Sequence, residues 1–116
     1  MNQPNNLTVE NYRELVQELL RRYVQPNPND SDVETQLLID VQHDHYQLVD
    51  VGWRNDKRIY SSILHIDIKD GKIWIQHNMT DQPVAEELVA LGVSKEQIVL
   101  GFRPAYVRPY TEFAVA

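Results

Sequence analysis

The sequence predicts an α+β domain in which a four-stranded antiparallel meander sheet packs on an N-terminal helix and is followed by two C-terminal helices. Three observations lead to this prediction. Apolar residues recur at helical spacing near the start, four runs of strand-forming residues follow with short connections, and Asp70-Gly71 marks a tight turn between the last two runs. The length of 116 residues fits a single domain over residues 1–116 that buries its own core.

The first element is a helix that begins after residue 7, with Thr8 in the N-cap position. Its apolar residues have the i, i+3, i+4 spacing of one buried helical stripe. The stripe consists of Tyr12, Leu15, Val16, Leu19, Leu20 and Tyr23. Pro26 ends the helix because proline lacks the N–H that the helical ladder needs, and residues 26–31 have the composition of a loop.

Four strands follow, at residues 33–41, 45–53, 58–68 and 72–77, and their short connections predict antiparallel neighbours. Asp70-Gly71 fits a two-residue type I′ turn because both residues tolerate a positive φ. This turn pairs Ile68 with Ile73, Ile66 with Ile75, and Leu64 with His77. A two-residue turn at Asn55-Asp56 pairs Tyr60 with Val51 and Ser62 with Val49. Both turns predict the same core face. The agreement is informative because a slip of one residue in either hairpin would move its side chains to the opposite face.

Two features of the sheet stay open. The first hairpin allows a loop of two, three or four residues, so either Leu37, Ile39 and Val41 or Leu38 alone face the core. The opposite face is also unusually apolar for a solvated sheet, since it carries Leu48, Ile59, Ile63 and Trp74. Another element of the chain or a second subunit is therefore expected to cover this face.

The C-terminal part begins with a helix that has Thr80 or Asp81 as its cap and Pro83 in its first turn, and that ends at Gly92. A capping-box pattern at Ser94 predicts a short third helix over residues 95–99. Residues 102–116 contain two prolines and are expected to be extended. Their four aromatic residues are too many for a disordered end, so we expect the segment to pack on the body of the domain.

Composition excludes several classes of function. The chain has no cysteine, which excludes disulfides and thiolate metal sites. It shows neither an apolar run long enough for a membrane span nor a signal-peptide pattern, so we expect a cytoplasmic protein. The net charge of −6 repels phosphate backbones, and non-specific affinity for DNA is mostly electrostatic. We therefore expect weak or no DNA binding by the chain alone.

The residues suggest little catalytic chemistry. His43-Asp44-His45 could form a loose metal clamp, but no remote third ligand is evident, and a polar turn is the favoured interpretation. His65 and Asp67 share one strand face, where a carboxylate could orient an imidazole, but a structural polar pair is favoured. No nucleophile elbow or phosphate loop accompanies them. We therefore expect no catalytic, cofactor-binding or metal-binding residues, and a protein that is not an enzyme.

Protein contact is the function that the surface residues favour. In the C-terminal segment two arginines interleave with two tyrosines, and both residue types are common interface anchors. The candidate interface residues are Trp74, Ile63, Leu48, Arg103, Tyr106, Arg108 and Tyr110. They predict a homodimer or a hetero-complex that buries part of the second sheet face or the aromatic C-terminal segment. The alternative is that this segment folds back over the face within one chain.

Several strings of the sequence resemble the XisI-like family of fdxN element excision controlling factors. Residues 65–76, around Asp70-Gly71, resemble the family's central hairpin, and residues 44–49 and 51–53 resemble its second strand. Residues 86–88, 91–93 and 98–102 resemble its helical part, and residues 111–116 resemble its C-terminus. The resemblance runs from about residue 12 to residue 116 and identifies the chain as a single XisI-like domain.

The resemblance implies a role in controlling excision of the fdxN DNA element during heterocyst differentiation in cyanobacteria. It also implies action beside a site-specific recombinase and a XisH-like companion protein, and it provides no catalytic residues to transfer to this chain. Two classes of function follow. The first is a non-enzymatic accessory protein that binds a XisH-like partner or the recombinase. The alternative is a direct DNA-binding or nucleic-acid-processing factor.

Overall fold

The first helix forms as its sequence predicts. The computed structural model describes residues 7–24 and 32–116, and within them helix α1 spans Val9–Tyr23. Thr8 is the N-cap, and its side chain forms a reciprocal capping box with Asn11. The predicted stripe faces the core, with Tyr12, Val16, Leu19 and Leu20 buried. The predicted loop at residues 26–31 lies outside the described residues.

The sheet contains the predicted four-stranded meander and one further strand. Strands β1 to β4 pair antiparallel in sequence order, which confirms the meander. The fifth strand, β5, pairs parallel to β4 at the sheet edge and was not predicted. The strands are β1 Val33–Asp40, β2 His45–Arg54, β3 Lys57–Lys69, β4 Lys72–Asn78 and β5 Ile98–Leu100. The fold is thus α+β with a mixed five-stranded sheet.

The turns confirm the register near the β3–β4 hairpin. Asp70 and Gly71 both have positive φ, at 53° and 76°, as a type I′ turn requires. Ile68 pairs with Ile73 and Ile66 with Ile75, as predicted. The predicted pair of Leu64 with His77 is wrong, because an irregularity after His65 shifts the register and places Asn78 opposite Leu64.

The first hairpin has a four-residue loop, since Asp40 pairs with His45. Leu37 pairs with Leu48 and packs against the core, whereas Leu38 is 44% exposed on the opposite face. The open choice for this strand is thereby decided in favour of Leu37, but Ile39 and Val41, which were expected to face the core with it, are exposed, and Val41 lies in the loop. Asp44, the last loop residue, adopts the left-handed region with φ 59°, which aspartate tolerates better than most residues.

A β-bulge between β2 and β3 overturns the predicted core face. Leu48 pairs with Leu64 while Val49 pairs with Ser62, so Ile63 is the extra residue. Leu48 is fully buried in the core, and Ile63 packs against the same core from a partly buried position. The predicted placement of Leu48 and Ile63 on the opposite face is therefore wrong.

Beyond the bulge the alternation is inverted. The predicted pairs of Tyr60 with Val51 and Ser62 with Val49 are present, but the prediction that they share the core face is wrong. Tyr60 is 71% exposed, and Val49 is buried without joining the main core. The pleat places these residues on the face of the sheet away from α1, which we call the open face.

The C-terminal elements differ from their prediction in three respects. Helix α2 spans Val84–Ala90 with Pro83 at its N-cap and no side-chain cap, so the predicted Thr80 or Asp81 cap is wrong. The predicted third helix is a single 3-10 turn, Lys95–Gln97, that leads directly into β5. The final segment forms turns and a 3-10 helix at Arg108–Tyr110 rather than an extended chain.

Burial on both faces explains why β5 is a strand. Ile98 pairs with Ile73 on the core side, and Val99 pairs with Trp74 on the open face. Both Ile98 and Val99 are fully buried, because adjacent residues of a strand project to opposite faces of the sheet and both faces are covered here. Ala114 then pairs beside Val99, which covers part of the outer edge.

The core lies between the sheet and the two helices, so the domain has two layers. It is built from α1, the inner face of the sheet, and Val84, Ala85 and Leu88 of α2. Tyr23 of α1 donates a hydrogen bond to Glu87 of α2 and links the two helices. Neither helix in residues 7–24 and 32–116 is long and apolar enough to span a membrane.

Candidate functional site

A polar cluster lies on the open face where β2 and β3 pair. His45 is directly opposite Asp67, and His65 precedes Asp67 by two residues on the same strand face. The Nδ1 atom of His45 and the Nε2 atom of His65 each lie 2.7 Å from Oδ1 of Asp67. Gln76 of β4 donates from Nε2 to the other carboxylate oxygen at 3.2 Å. We call His45, His65 and Asp67 the His-His-Asp cluster.

The electrostatics of the cluster favour an ionised carboxylate. Partial burial acts to raise the pKa of Asp67, but hydrogen bonds from His45, His65 and Gln76 outweigh it, so the pKa lies below its usual value. The hydrogen bond to Asp67 raises the pKa of His45, because it stabilises the imidazolium form. The carboxylate of Asp67 therefore carries its charge at neutral pH.

The sequence identified the members of this cluster but grouped them differently. The structure separates His43, Asp44 and His45, which the sequence offered as a possible clamp while favouring a polar turn. His43 contacts Asp40 at 2.9 Å, and Asp44 turns toward α1. The predicted neighbours His65 and Asp67 do lie together, but His45 joins them as a third member. Only the pairing register of β2 and β3 could have revealed this.

Asp44, the last residue of the β1–β2 loop, instead has a structural role. Its carboxylate accepts hydrogen bonds from Nε and Nη2 of Arg13 at 2.8 and 3.0 Å, and from the hydroxyl of Tyr46 at 2.8 Å. The side chain of Asp44 is 15% exposed, and that of Arg13 is 30% exposed. The hydrogen bonds from Arg13 are the main cause of a lowered pKa for Asp44. This contact ties α1 to the loop that precedes His45.

Trp74 lies on the open face, as predicted, beneath the C-terminal segment. The guanidinium of Arg108 lies 5.3 Å from the Trp74 ring centre, and the ammonium of Lys69 lies 4.7 Å from it. Within the described residues, the buried Nε1 of Trp74 has no hydrogen-bond partner. Packing and cation–π contacts therefore hold the ring.

The C-terminal segment packs on the body of the domain, as predicted. Arg108 donates to the carbonyls of Arg103 and Val115 at 3.0 and 3.3 Å, which closes the segment on itself. The amide of Ala114 donates to the carbonyl of Ile98 at 2.8 Å and fixes the end of the segment to β5. The alternative in which this segment folds back within one chain is thus realised around Trp74.

The outer side of the same segment is aromatic and basic. Tyr106 and Tyr110 are 78% and 89% exposed, and Arg103 lies over the ring of Phe102 at 5.2 Å. Residues 102–110 contain no acidic residue, in a chain of net charge −6, and Arg103 is their outward cation, since Arg108 turns inward over Trp74. We call the outward side of residues 102–110 the aromatic tail surface.

A second group of exposed aromatic and basic residues lies at the β2–β3 turn. Arg58 lies over the ring of Trp53 at 5.4 Å, and Arg54 and Lys57 form the last strand pair before the turn. Trp53 is 51% exposed. Trp53 pairs with Arg58 of β3, and Trp74 pairs with Asp67 of the same strand. These two partners are nine residues apart along β3, which corresponds to about 30 Å at the rise of a strand. This turn is therefore remote from the aromatic tail surface.

A cleft of about 600 Å³ opens on the helix side of the sheet. Tyr23 and Glu87 form one wall, and Ile63, predicted for the interface, lies in the other. Leu48 also borders the cleft, but it is fully buried and cannot anchor a partner on the open face.

Comparison with known proteins finds similar chains among XisI proteins. The sequence model of the family described as XisI protein matches residues 7–115. A crystal structure of a XisI-like protein from Anabaena variabilis is 51% identical, with a TM-score of 0.85, covering 90% of this chain and 96% of that one. The fdxN element excision controlling factor XisI from Anabaena variabilis is 36% identical, with a TM-score of 0.79 and the same coverage. No curated protein matches the sequence.

Proposed function

The chain belongs to the XisI family, and from this membership we propose that it is a non-enzymatic accessory factor in the control of DNA-element excision. The observation that carries the proposal is its 36% identity, over 90% of its length, to the fdxN element excision controlling factor XisI. Such a factor acts in the cytoplasm, through contact with a XisH-like protein or with the site-specific recombinase.

The aromatic tail surface is the contact region that we propose for this partner. Its backbone is fixed by Arg108 and Ala114, so little order has to be gained on binding. Tyr106 and Tyr110 project from this fixed backbone, and tyrosine is enriched among interface hot spots. The positive charge of Arg103, in a segment without acidic residues, favours a partner surface that is acidic or rich in acceptors.

Replacing Tyr106 and Tyr110 together by alanine is expected to abolish capture of a XisH-like protein in a pull-down with the tagged full-length chain. Both side chains are more than three-quarters exposed, so the thermal unfolding midpoint should stay unchanged. The matched control is Trp53→Ala, which removes an exposed aromatic side chain at the remote β2–β3 turn and should leave capture intact. Equal capture by the double variant and the unmodified chain would remove this surface from the proposal.

Direct DNA binding is the second candidate function, and the β2–β3 turn is the observation that favours it. Arg54, Lys57 and Arg58 present three cations around an exposed Trp53, a combination that can contact phosphates and stack on bases. The overall charge of −6 opposes this interaction at long range.

In a gel-shift assay at physiological salt, the isolated chain is expected to show no sequence-specific complex with DNA from the ends of an excised element. Nanomolar binding by the chain alone, lost when Arg54, Lys57 and Arg58 are all changed to glutamine, would instead establish the DNA-binding function. A complex that forms only after a XisH-like protein is added would support the accessory role.

A further inference from the structure

We propose that His45, His65 and Asp67 bind one divalent transition-metal ion, of the class represented by Zn²⁺. The ligand atoms that the three side chains offer all lie within 4.8 Å of one another. Two nitrogen ligands and a carboxylate oxygen around tetrahedral Zn²⁺ are spaced about 3.3 Å apart at normal bond lengths. Small side-chain rotations therefore suffice to place an ion between them. The inference concerns this cluster alone and does not depend on the proposed function.

The backbone already holds the three ligands together. His45 and Asp67 are direct cross-strand partners, and His65 and Asp67 are two residues apart on one strand. Both spacings place the side chains on one face of the sheet with neighbouring Cβ atoms. A site built on paired strands is more rigid than one built on loops, so an ion would meet a preformed set of ligands.

The donor set is suited to a borderline transition metal. Two imidazoles with one carboxylate are typical of zinc and non-haem iron sites, whereas Mg²⁺ and Ca²⁺ prefer oxygen ligands throughout. An ion would replace the two hydrogen bonds from the imidazoles to Asp67, so the ring nitrogens that face Asp67 must release their protons. Each neutral ring then carries its proton on the nitrogen that faces away from Asp67. Nδ1 of His45 and Nε2 of His65 point at the carboxylate and would bind the ion. The protons would therefore lie on Nε2 of His45 and Nδ1 of His65.

Gln76 supplies the support that a metal-bound carboxylate usually has. Its Nε2 donates to Oδ2 of Asp67 at 3.2 Å and thereby directs Oδ1 toward the two imidazoles. Gly101 leaves room for this amide, since a Cβ atom at position 101 would lie 2.6 Å from Oε1 of Gln76. A larger residue at position 101 would displace the group that orients Asp67.

The exposure of the ligands leaves coordination positions open. The side chain of Asp67 is 16% exposed, that of His65 is 32% exposed and that of His45 is 54% exposed. The ion would therefore sit at the surface of the open face with its remaining positions toward solvent. Three protein ligands leave at least one position of a tetrahedral ion for water or for a side chain of a bound partner.

Titration calorimetry with Zn²⁺ on the chelator-treated, tag-free full chain tests the proposal. We expect one ion per chain, and we expect Asp67→Asn and His65→Ala each to weaken its binding by more than about 100-fold, since loss of a supporting group alone costs 10- to 100-fold. Gln76→Ala should weaken binding about 10-fold. Co²⁺ should give the visible absorption of a nitrogen- and oxygen-bound ion, and Asp67→Asn should remove it.

The control is His43→Ala, which removes an exposed histidine that contacts Asp40 outside the cluster. It should leave the affinity for Zn²⁺ unchanged. Asp67→Asn preserves the size of the side chain, and circular dichroism verifies the fold of each variant. The proposal fails if the unmodified chain binds no ion. It also fails if folded Asp67→Asn and His65→Ala bind as tightly as the unmodified chain, or if His43→Ala weakens binding as much as they do.

Discussion

Replacing Leu48 by alanine is expected to lower the free energy of unfolding by about 3 kcal/mol, as is typical when a fully buried leucine is truncated. Leu48 is completely buried between the sheet and the helices, where it pairs with Leu64 and belongs to the main core. The loss combines the transfer free energy of the deleted carbons with the cavity that rigid strands leave behind. Urea or guanidinium denaturation, monitored by circular dichroism, measures it.

Leu38→Ala is the matched control for this experiment. It makes the same chemical change on the neighbouring strand, but the leucine is 44% exposed, so its effect should stay within about 0.5 kcal/mol. The comparison also distinguishes two registers. If Leu48→Ala proved as mild as Leu38→Ala, Leu48 would lie on the exposed face that the unbulged pairing predicts, and the bulge at Ile63 would be wrong.

Replacing Asp44 by asparagine is expected to lower the free energy of unfolding by about 2 kcal/mol, because hydrogen bonds to a charged group contribute more than neutral ones and partial solvent access limits the total. Asparagine tolerates the left-handed conformation at position 44, so the loop backbone is not perturbed. The variant loses the negative charge that faces Arg13, and it weakens the hydrogen bond from Tyr46.

A double-mutant cycle isolates the contact with Arg13. Asp44→Asn should cost much less in an Arg13→Ala background than in the unmodified chain, since the partner is then already absent. Glu18→Gln is the control, because it removes a charge from an exposed i, i+4 pair with Arg22 and should cost less than about 0.5 kcal/mol. Additive losses for Asp44→Asn and Arg13→Ala would show that this contact does not stabilise the fold.

Local signals determined much of the architecture. The stripe and cap of α1 and the Asp70-Gly71 turn depend on interactions within a few residues, and the structure confirms them. The antiparallel order of the first four strands follows from short connections, which leave neighbouring strands no other way to pair. The short strand β5 was missed because its partner β4 is more than twenty residues earlier in the chain, so no local pattern reveals it.

The sequence likewise predicted one part of the His-His-Asp cluster, and the structure was needed for the other part. The two-residue spacing of His65 and Asp67 already placed both on one strand face. His45 could be added only by knowing which residue of β3 lies opposite it. If strand pairing continued from the two-residue turn at Asn55-Asp56 without a bulge, Asp44 would lie opposite Asp67. His45 would then lie on the other face of the sheet.

The sequence by itself determined that this chain is an α+β domain of the XisI family, with a helix, an antiparallel meander and a packed C-terminal segment. Only the tertiary structure decided which face of each strand is buried. One extra residue, Ile63, shifts the pairing so that Leu48 enters the core and His45 meets Asp67. The physical reason is that side chains alternate with a period of two. A single inserted residue therefore exchanges the two faces of the strand beyond it, and the packing against α1 that fixes its position is not local in sequence.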